Sequence, residues 1–386
     1  MVLLTRPPSV QDRPHLRRKR APWVYWVRRS VLLALVVFVL ATGWSLVTAL
    51  AAPGDDVPTK LAEWARDHSL GFVVTTAENV QYKLNPPVTG GAPDSSILAA
   101  GAHEASAGAQ SGGSIPLQTR LVGPVAPAIS GEGVFVPAVR TAAGPVIQVT
   151  YVRPDNVHTS YLTGVAWMSH TLRFVLHPGF QDPGTSGMSE TSSVTKSQYP
   201  GLAATFNRGF KMKDAQGGYY DHGHTVGSLV KGAASLVIFK DGHATVGTWG
   251  SDVSMTSDVV FVRQNLKPLI TGGVIAPNVD SSVETTWGTT VGASLAVWRS
   301  GIGVTANGDL VFAGGEALSA GALADVLKRA GAVTAMQLDI NKAWVSFMWF
   351  GHSAGVPVPH KLGDFQRAGS RYLSATSRDF VAVYTP

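Results

Sequence analysis

One carboxylate, Asp339, directly follows AMQL at 335–338, an apolar run of the kind that forms a buried strand. A strand end holds a side chain rigidly and leaves it open to a cleft. Because an unpaired buried carboxylate is costly, Asp339 must face solvent, a cation, a hydrogen-bond donor or a substrate. Asp339 is therefore the first candidate for acid–base or electrostatic chemistry. The alternative is a turn-forming aspartate, with which the following Ile340 and Asn341 are compatible.

Two glycine-containing runs lie upstream, FNRGF at 206–210 and GGYYDHGH at 217–224. Gly209 allows close backbone approach, and Asn207 and Arg208 carry directed donors that suit a phosphate or a sugar hydroxyl. We predict that Asn207 and Arg208 hold such a group and that Arg208 and Gly209 bind substrate. Tyr220 and His222 of the second run are predicted to be further substrate contacts.

The second run also holds Asp221, His222 and His224, which are residue types that ligate metals. Two histidines two positions apart reach one ion only in an extended segment, and no third histidine nearby completes a set. The sequence therefore favours a hydrogen-bonding loop, and we predict neither a metal nor a cofactor. A metal-dependent hydrolase remains the less favoured alternative.

Arg299 lies between apolar residues, which predicts a partly buried guanidinium that needs an anionic partner, either Asp339 or a substrate phosphate. Aromatic residues in this part of the chain are candidates for stacking on sugars, Trp344 among them, although a core role is commoner for any one of them. Chemistry with two carboxylates needs a second acid, and the sequence leaves three candidates open: Asp221, Asp252 and Glu284.

The elements that position these residues are mostly short strands. GIGVTANGDLVFAG at 301–314 predicts a hairpin with a type I′ turn at Asn307-Gly308. A helix capped by Ser319 and stopped by Gly331 follows, and then a buried strand at 333–338. We predict an α+β fold, a strand-rich mixed-sheet domain with few helices, preceded by one N-terminal transmembrane helix.

The N-terminal region is basic and then apolar. Residues 1–30 hold eight Lys and Arg against one Asp, whereas the whole chain carries a formal charge of +6. The chain after residue 30 therefore lacks the basic footprint of a nucleic-acid partner. Residues 31–52 carry no charge and are long enough to span a bilayer, with the basic tail inside. A cleaved signal peptide is the alternative.

Beyond the anchor we predict three further regions. Residues 53–85 form a membrane-proximal segment with a helix at 59–68 and a strand at 71–77. Residues 86–116 are rich in Gly, Ala, Pro and Ser and predict a flexible linker, or alternatively an ordered loop over the domain. Residues 117–386 form the main extracytoplasmic domain. The absence of cysteine in the sequence is compatible with an exported bacterial domain.

Four motifs in order, FNRGF, GGYY, RSGIGVTANGDLVF and LSAGALADVLKRAGAVTAMQLD, resemble the phosphodiester glycosidase family. This family contains the N-acetylglucosamine-1-phosphodiester alpha-N-acetylglucosaminidase (uncovering-enzyme) type and bacterial proteins linked to exopolysaccharides. The resemblance covers about residues 203–339, and more weakly the chain from about 131. The anchor and composition are similar to those of actinobacterial membrane-anchored proteins of this type.

The resemblance places Asn207 and Gly209 on the family's strand end, Arg299 and Gly303 on its arginine and glycine before the hairpin, and Asp339 on the aspartate of its last signature. It implies Asp339, Arg299 and Asn207 as catalytic residues. This chain departs from the family after that aspartate, where a run of glycines is replaced by INKAW at 340–344. We predict that Asn341 and Trp344 of this segment bind substrate.

We therefore predict an extracytoplasmic hydrolase of a glycosyl phosphodiester, or a related glycosidic bond, in cell-envelope glycan. Its expected partners are envelope carbohydrate and the membrane, through one helix. The alternative is a non-catalytic envelope protein that binds glycan or supports exopolysaccharide assembly, which the loss of the glycine run favours.

Overall fold

The computed structural model describes residues 22–51, 57–68, 70–98, 113–280, 284–288 and 296–386. The chain divides into two compact units, Met1–Ala52 and Pro53–Pro386. Within the first unit, helix α1 spans Pro22–Ala51. Its segment Tyr25–Ala51, 27 residues, contains an 18-residue window with a mean hydropathy of 2.4 and has the length and composition of a membrane span or a signal sequence. Most of the predicted basic tail, residues 1–21, lies outside the described residues, as does Ala52.

Two helices open the second unit, α2 at Val57–Asp67 and α3 at Gly71–Leu84. The predicted helix at 59–68 is confirmed, but the predicted strand at 71–77 is wrong. The β-branched residues at 73–76 favour a strand, yet they are followed by AENVQYKL, which is rich in helix-forming residues. Helical hydrogen bonds satisfy the backbone locally, whereas a strand here would need a neighbouring sheet edge.

The regular structure of the described residues after α3 is mainly eighteen strands, and their bounds are β1 Val136–Thr141, β2 Gly144–Val152, β3 Thr163–Met168, β4 Arg173–His177, β5 Leu202–Asn207, β6 Tyr219–Asp221, β7 His224–Val226, β8 Ala234–Phe239, β9 Ala244–Thr248, β10 Val259–Gln264, β11 Pro268–Thr271, β12 Val274–Ile275, β13 Val297–Thr305, β14 Leu310–Leu318, β15 Ala332–Gln337, β16 Phe347–Ser353, β17 Val356–Lys361 and β18 Phe380–Tyr384. Helices α4 at Glu284–Trp287 and α5 at Ala320–Arg329 accompany them, and residues 95–98 are also helical.

The strands form three sheets, ordered β1-β2-β3-β14-β13-β15-β11-β12, β7-β6-β10-β8-β9 and β17-β16-β5-β18-β4. The strand-rich α+β class with few helices is confirmed. Every strand pair in the described part of the chain is antiparallel, and parallel pairing is limited there to two isolated bridges. Within the described residues the sheets are therefore antiparallel, and the mixed strand directions of the predicted fold are not found there.

The largest core cluster joins all three sheets, for example through Ile147, Phe206 and Leu236, each of which is at most 1% exposed. A second cluster packs helix α5 against the eight-stranded sheet through Leu323 and Leu327. Full burial of each such side chain stabilises the fold by about 1.5–3 kcal/mol. The two clusters hold opposite faces of the central strands β13 and β15, which carry the site residues.

The hairpin and the helix after it are confirmed. Strand β13 pairs with β14 across the tip, and the Ser319 hydroxyl caps α5 by accepting from the Ala322 amide at 3.0 Å. The predicted turn type is wrong, because Gly308 has a φ of +87° while Asn307 is not among the residues with positive φ. A type I′ turn needs positive φ at both central positions. Here the tip is longer, and Gly308 alone adopts the left-handed conformation.

The segment predicted as a linker is described at 86–98 and 113–116. The amide of Gly90 donates to the Val157 carbonyl at 2.7 Å, and the Thr159 hydroxyl donates to the Gly91 carbonyl at 2.7 Å. Leu98 is 2% exposed. These contacts favour the alternative interpretation, an ordered loop over the domain, for 86–98. Residues 99–112 lie outside the described residues.

Candidate functional site

Asp339 lies directly after β15 and is 4% exposed. Its Oδ1 accepts from the amides of Ile340 and Asn341 at 2.8 and 2.9 Å, and its Oδ2 accepts from Nη2 of Arg378 at 3.3 Å. Burial raises the pKa of Asp339, while Arg378 and the two amides oppose that rise. Oδ1 of Asp339 thus makes a turn, which is the alternative role predicted for this residue, and Oδ2 faces the Arg378 cation.

Asn207 ends β5 and joins three segments of the site. Its Oδ1 accepts from the Ser346 amide at 3.0 Å, and its Nδ2 donates to the Ser300 hydroxyl at 3.0 Å. The same hydroxyl also accepts a hydrogen bond from the Asp339 amide at 3.3 Å. Asn207 and Asp339, which are 132 positions apart in the sequence, therefore lie on either side of one serine. Gly209 lies at the same place, because its carbonyl accepts a hydrogen bond at 2.7 Å from Nη2 of Arg378, the cation that Asp339 faces.

Three arginines surround the indole ring of Trp344, and we call this group the arginine cluster: Arg367, Arg371 and Arg378. Their guanidinium carbons lie 5.7, 4.8 and 4.9 Å from the ring centroid. All three are 7% exposed or less. Cation–π attraction strengthens when the charge is desolvated, to about 2 kcal/mol or more. Trp344 thus holds a concentrated positive charge beside Asp339.

A deeper ion pair supports this cluster. Nε of Arg263 donates to Oδ2 of Asp379 at 2.6 Å, and both side chains are at most 1% exposed. Arg208 is also fully buried here, donating Nη2 to the Arg263 carbonyl at 3.1 Å, and burial lowers its pKa to about 9. The predicted role of Arg208 in substrate binding remains a prediction, since its contacts lie inside the domain. Asp379 immediately follows Arg378, so the pair fixes the backbone that carries the cluster.

Arg299 and Gly303 lie elsewhere. Alternate residues of a strand point to opposite faces, so Ser300 faces Asn207 while Arg299 and Gly303 face the α5 side. Arg299 donates to the Leu318 carbonyl at 2.9 Å and to Oε1 of Gln337 at 2.7 Å. A Cβ on Gly303 would lie 2.6 Å from that of Ala332. Asp339 was one of the two partners predicted for Arg299. It pairs instead with Arg378.

Tyr220 and His222 are on the second sheet. Nδ1 of His222 lies 2.8 Å from Oδ1 of Asp221, whose two oxygens also accept from the amide and hydroxyl of Ser189. Tyr220 packs beside the apolar cluster of Val237 and Val262. No group of three or more His, Cys, Asp or Glu side chains that could hold a metal is found in the part of the chain that the structure describes.

Asn341 and Trp344 do join Asp339, in the segment that follows it. Oδ1 of Asn341 accepts from the Ala343 amide at 2.8 Å, and its carbonyl accepts from the Trp344 amide at 2.8 Å. Residues 340–344 therefore form a tight turn held by two side-chain oxygens, those of Asp339 and Asn341. This turn directs Lys342 to one side and Trp344 to the other.

On the Lys342 side an open cavity of about 410 Å³ lies over the end of the eight-stranded sheet, and we call it the acidic cavity. Nζ of Lys342 lies 5.7 Å from the centroid of the Trp298 ring, which lines the cavity. Glu316 lines it too and is half-buried. Burial raises the pKa of Glu316, against the opposing effects of Lys342 and the Trp298 side chain.

Sequence reasoning missed the arginine cluster and Glu316. A usable signal existed in each case: Arg367, Arg371 and Arg378 fall within 12 residues, and Glu316 directly follows two glycines at the end of a strand. Of the open candidates for a second carboxylate, Asp221 is committed to Ser189 and His222, as described above. Asp252 caps an exposed turn by accepting from the Thr248 amide at 2.9 Å. The side chain of Glu284 lies outside the described residues.

No family model matches the chain, and no curated protein does. Solved structures of low similarity exist. The catalytic domain of zebrafish N-acetylglucosamine-1-phosphodiester alpha-N-acetylglucosaminidase, auto-inhibited by its pro-peptide, has a TM-score of 0.42 at 15% identity over 65% of this chain and 87% of that chain. A hypothetical protein from Synechocystis has a TM-score of 0.35 at 12% identity over 63% of each chain. A putative exported protein from Burkholderia pseudomallei has a TM-score of 0.32 at 11% identity over 58% of this chain and 74% of that chain. Similarity at this level indicates at most a distant relationship of fold.

Proposed function

We propose that the protein is an extracytoplasmic hydrolase that cleaves a glycosyl phosphodiester, or a related glycosidic bond, in cell-envelope glycan. The observation that carries this proposal is the arrangement of Asp339, a buried carboxylate at a strand end, beside the arginine cluster on Trp344. A carboxylate next to concentrated guanidinium charge suits a substrate that combines a sugar carbon with a phosphate.

Each part has a chemical role in this proposal. Guanidinium groups present planar pairs of donors that match phosphate oxygens. In a buried site these donors stabilise developing charge more strongly than they would in water. Asp339 acts as an acid, a base or an electrostatic stabiliser of an oxocarbenium-like centre. Asn207 holds Ser300 and the β5 end in register, so that the Gly209 carbonyl keeps Arg378 directed at Asp339.

The location is part of the proposal. We place residues 1–30 in the cytoplasm, α1 in the membrane as a single anchor and the main domain outside. The supporting observations are the basic residues that flank α1 on its N-terminal side and the uncharged run at 31–51. Envelope carbohydrate and the membrane are then the partners, and nucleic acid is not one.

One observation favours a second candidate, a non-catalytic glycan-binding or exopolysaccharide-assembly protein. Oδ1 of Asp339 is occupied by two backbone amides, and INKAW replaces a glycine run that would bring further amides close to a substrate. A binding protein needs the cations and rings of the site but not a reactive carboxylate.

The experiment is hydrolysis of a panel of sugar-1-phosphodiesters and envelope glycan fragments by the full chain in detergent. We expect Asp339→Asn to lower kcat/KM by at least about 100-fold, the scale of a lost acid–base or charge-stabilising group. Asp309→Asn is the matched control, because Asp309 is a buried aspartate that accepts from His170 at 3.0 Å at the hairpin tip. Circular dichroism checks the fold of both variants. Wild-type protein that binds glycan but turns over no member of the panel would favour the binding protein.

A further inference from the structure

The acidic cavity is large enough to hold part of a ligand, at about 410 Å³. Small-molecule sites in proteins generally measure about 300–1,000 Å³ and combine aromatic walls with a few polar groups. Here the aromatic walls include Trp298 and Tyr161. Trp298 is 5% exposed and is held at its edge by Phe365, with ring centroids 6.0 Å apart. The small exposed part of this indole gives the cavity a rigid apolar wall.

Three carboxylates and one ammonium line this cavity: Asp94, Glu316, Asp364 and Lys342. The balance is therefore acidic whether or not Glu316 is protonated. An anionic ligand would meet net repulsion here, while a hydroxyl or an ammonium would find acceptors. The Glu316 carboxylate, whose pKa burial raises, is half-buried at the cavity wall and can accept hydrogen bonds from sugar hydroxyl or amino groups.

The backbone directs Glu316 into the cavity. Strand β14 carries a bulge at this point, where the register shifts between the Val297–Leu318 and Arg299–Gly315 pairs. Within the bulge Ala317 has a φ of +58°, a conformation that costs a non-glycine residue about 1–3 kcal/mol. Bulges re-aim side chains and are enriched next to active sites. Glu316 follows Gly315 at the start of this shift, so the register continued from the Arg299–Gly315 pair sets it opposite Trp298.

The acidic cavity and the arginine cluster share two chain segments. Lys342 lines the cavity, and Trp344, two residues later, carries the cluster. Gln366 lines the cavity, and Arg367, the next residue, lies over the Trp344 ring. The two regions are therefore neighbours along the chain, on either side of the turn at 340–344.

We propose that the acidic cavity is a sugar-binding subsite that takes a neutral or amino pyranose and rejects a ring that carries a negative charge inside the cavity, as a uronate does. The ring packs on the apolar wall that Tyr161 and the exposed edge of Trp298 form, and its hydroxyl or amino groups bond to Glu316 and Asp364. For its part in a reaction this inference rests on the proposed function, since the arginine cluster would hold the phosphate of the same substrate. The binding preference itself is independent of turnover.

The test is isothermal titration calorimetry on the full chain, in a detergent without a sugar head group. The probes are the methyl glycosides of glucose, glucosamine and glucuronic acid, together with inorganic phosphate. We expect the glucoside and glucosaminide to bind at least about tenfold more tightly than the glucuronide. Glu316→Ala should weaken both by at least about fivefold and leave phosphate binding unchanged.

Glu190→Ala is the matched control, because Glu190 is a half-buried glutamate with a raised pKa that bonds to Gln198, away from the cavity. Asp364→Ala is the second variant, since Asp364 is exposed and its loss leaves the fold intact. Equal affinity for glucuronide, absence of sugar binding, or unchanged binding in both cavity variants would overturn the proposal. Sugar binding without hydrolysis would contradict the proposed hydrolase and support the subsite. Hydrolysis whose KM is unchanged in Glu316→Ala would support the hydrolase and contradict the subsite.

Discussion

The arginine cluster and the acidic cavity lie on either side of one turn and differ in both charge and burial. The cluster packs its cations around Trp344 at 7% exposure or less, whereas Asp94, Asp364 and Lys342 of the cavity are exposed. Charges in a dry interior interact several times more strongly than charges near water. The five residues at 340–344 therefore separate a buried cationic region, where charges interact strongly, from an exposed acidic region, where solvent screens them.

The two halves are also held differently. The cluster depends on buried ion pairs, Arg263 with Asp379 and Arg378 with Asp339, at 2.6 and 3.3 Å. The cavity depends on backbone shape, through the bulge at Glu316 and Ala317. Substitutions in the cluster should therefore have the larger effect on the stability of the fold, and substitutions in the cavity should have the larger effect on ligand preference.

The largest effect is expected for Arg378→Met. Loss of this cation leaves Asp339 buried without its ion-pair partner, which costs about 3 kcal/mol of unfolding free energy at pH 7. Because Arg378 lowers the pKa of Asp339, the variant carboxyl protonates more readily, and the loss should shrink as the pH falls. Urea denaturation at several pH values measures both effects. The control is Arg329→Met, which breaks an exposed pair with Asp325 and should cost less than about 1 kcal/mol. Equal losses in both variants would contradict the contrast in burial.

The ligand preference of the cavity should shift with Asp364→Lys. Reversing one exposed charge changes the interaction with an anionic sugar by about 1 kcal/mol, or about fivefold in affinity. Methyl glucuronide should gain affinity and methyl glucosaminide should lose it, by calorimetry. High salt should reduce the shift, because exposed charges are screened. The control is Asp325→Lys on the surface of α5, and a shift of similar size there would show that net charge alone is responsible.

A pH effect on stability should come from Glu316. Its folded pKa is raised above the ordinary value of 4.5, so its contribution to stability is fully present below pH 4.5 and is lost as the pH rises through the folded pKa. Glu316→Gln cannot ionise, so we expect its unfolding free energy to decline less than that of the wild type above pH 4.5. Urea denaturation from pH 4 to pH 8 measures the difference. Parallel curves would show that Glu316 is not desolvated.

The smallest effect is expected for Lys342→Met, which removes an exposed ammonium above Trp298 but keeps its aliphatic length. Exposed cation–π pairs contribute about 0.5–1 kcal/mol, so sugar affinity should change by about two- to fivefold and phosphate affinity should stay the same. Removing this cation also raises the pKa of Glu316 further. A large loss of phosphate binding in this variant would mean that Lys342 serves the cluster and not the cavity.

Local patterns in the sequence were sufficient for some elements and misleading for others. The helix between Ser319 and Gly331 was predictable because its cap, apolar spacing and stop lie within one short segment. The strand at 71–77 was not, since apolar β-branched residues fit either structure until hydrogen-bond partners are known. The turn at Asn307 was misassigned because its dipeptide is compatible with more than one tip length.

The same distinction between local sequence and tertiary structure applies to the residues of the site. The sequence by itself determined that Asp339 ends a buried strand, that Asn207 ends another and that glycines flank them, because these are properties of neighbouring residues. Only the tertiary structure decided that Arg378, and not Arg299, faces Asp339, and that Glu316 faces Trp298. Those pairings follow from which face of a strand each side chain takes and which strands become neighbours in the sheets. Neither is encoded in local spacing, because one bulge or one change in strand order reverses it.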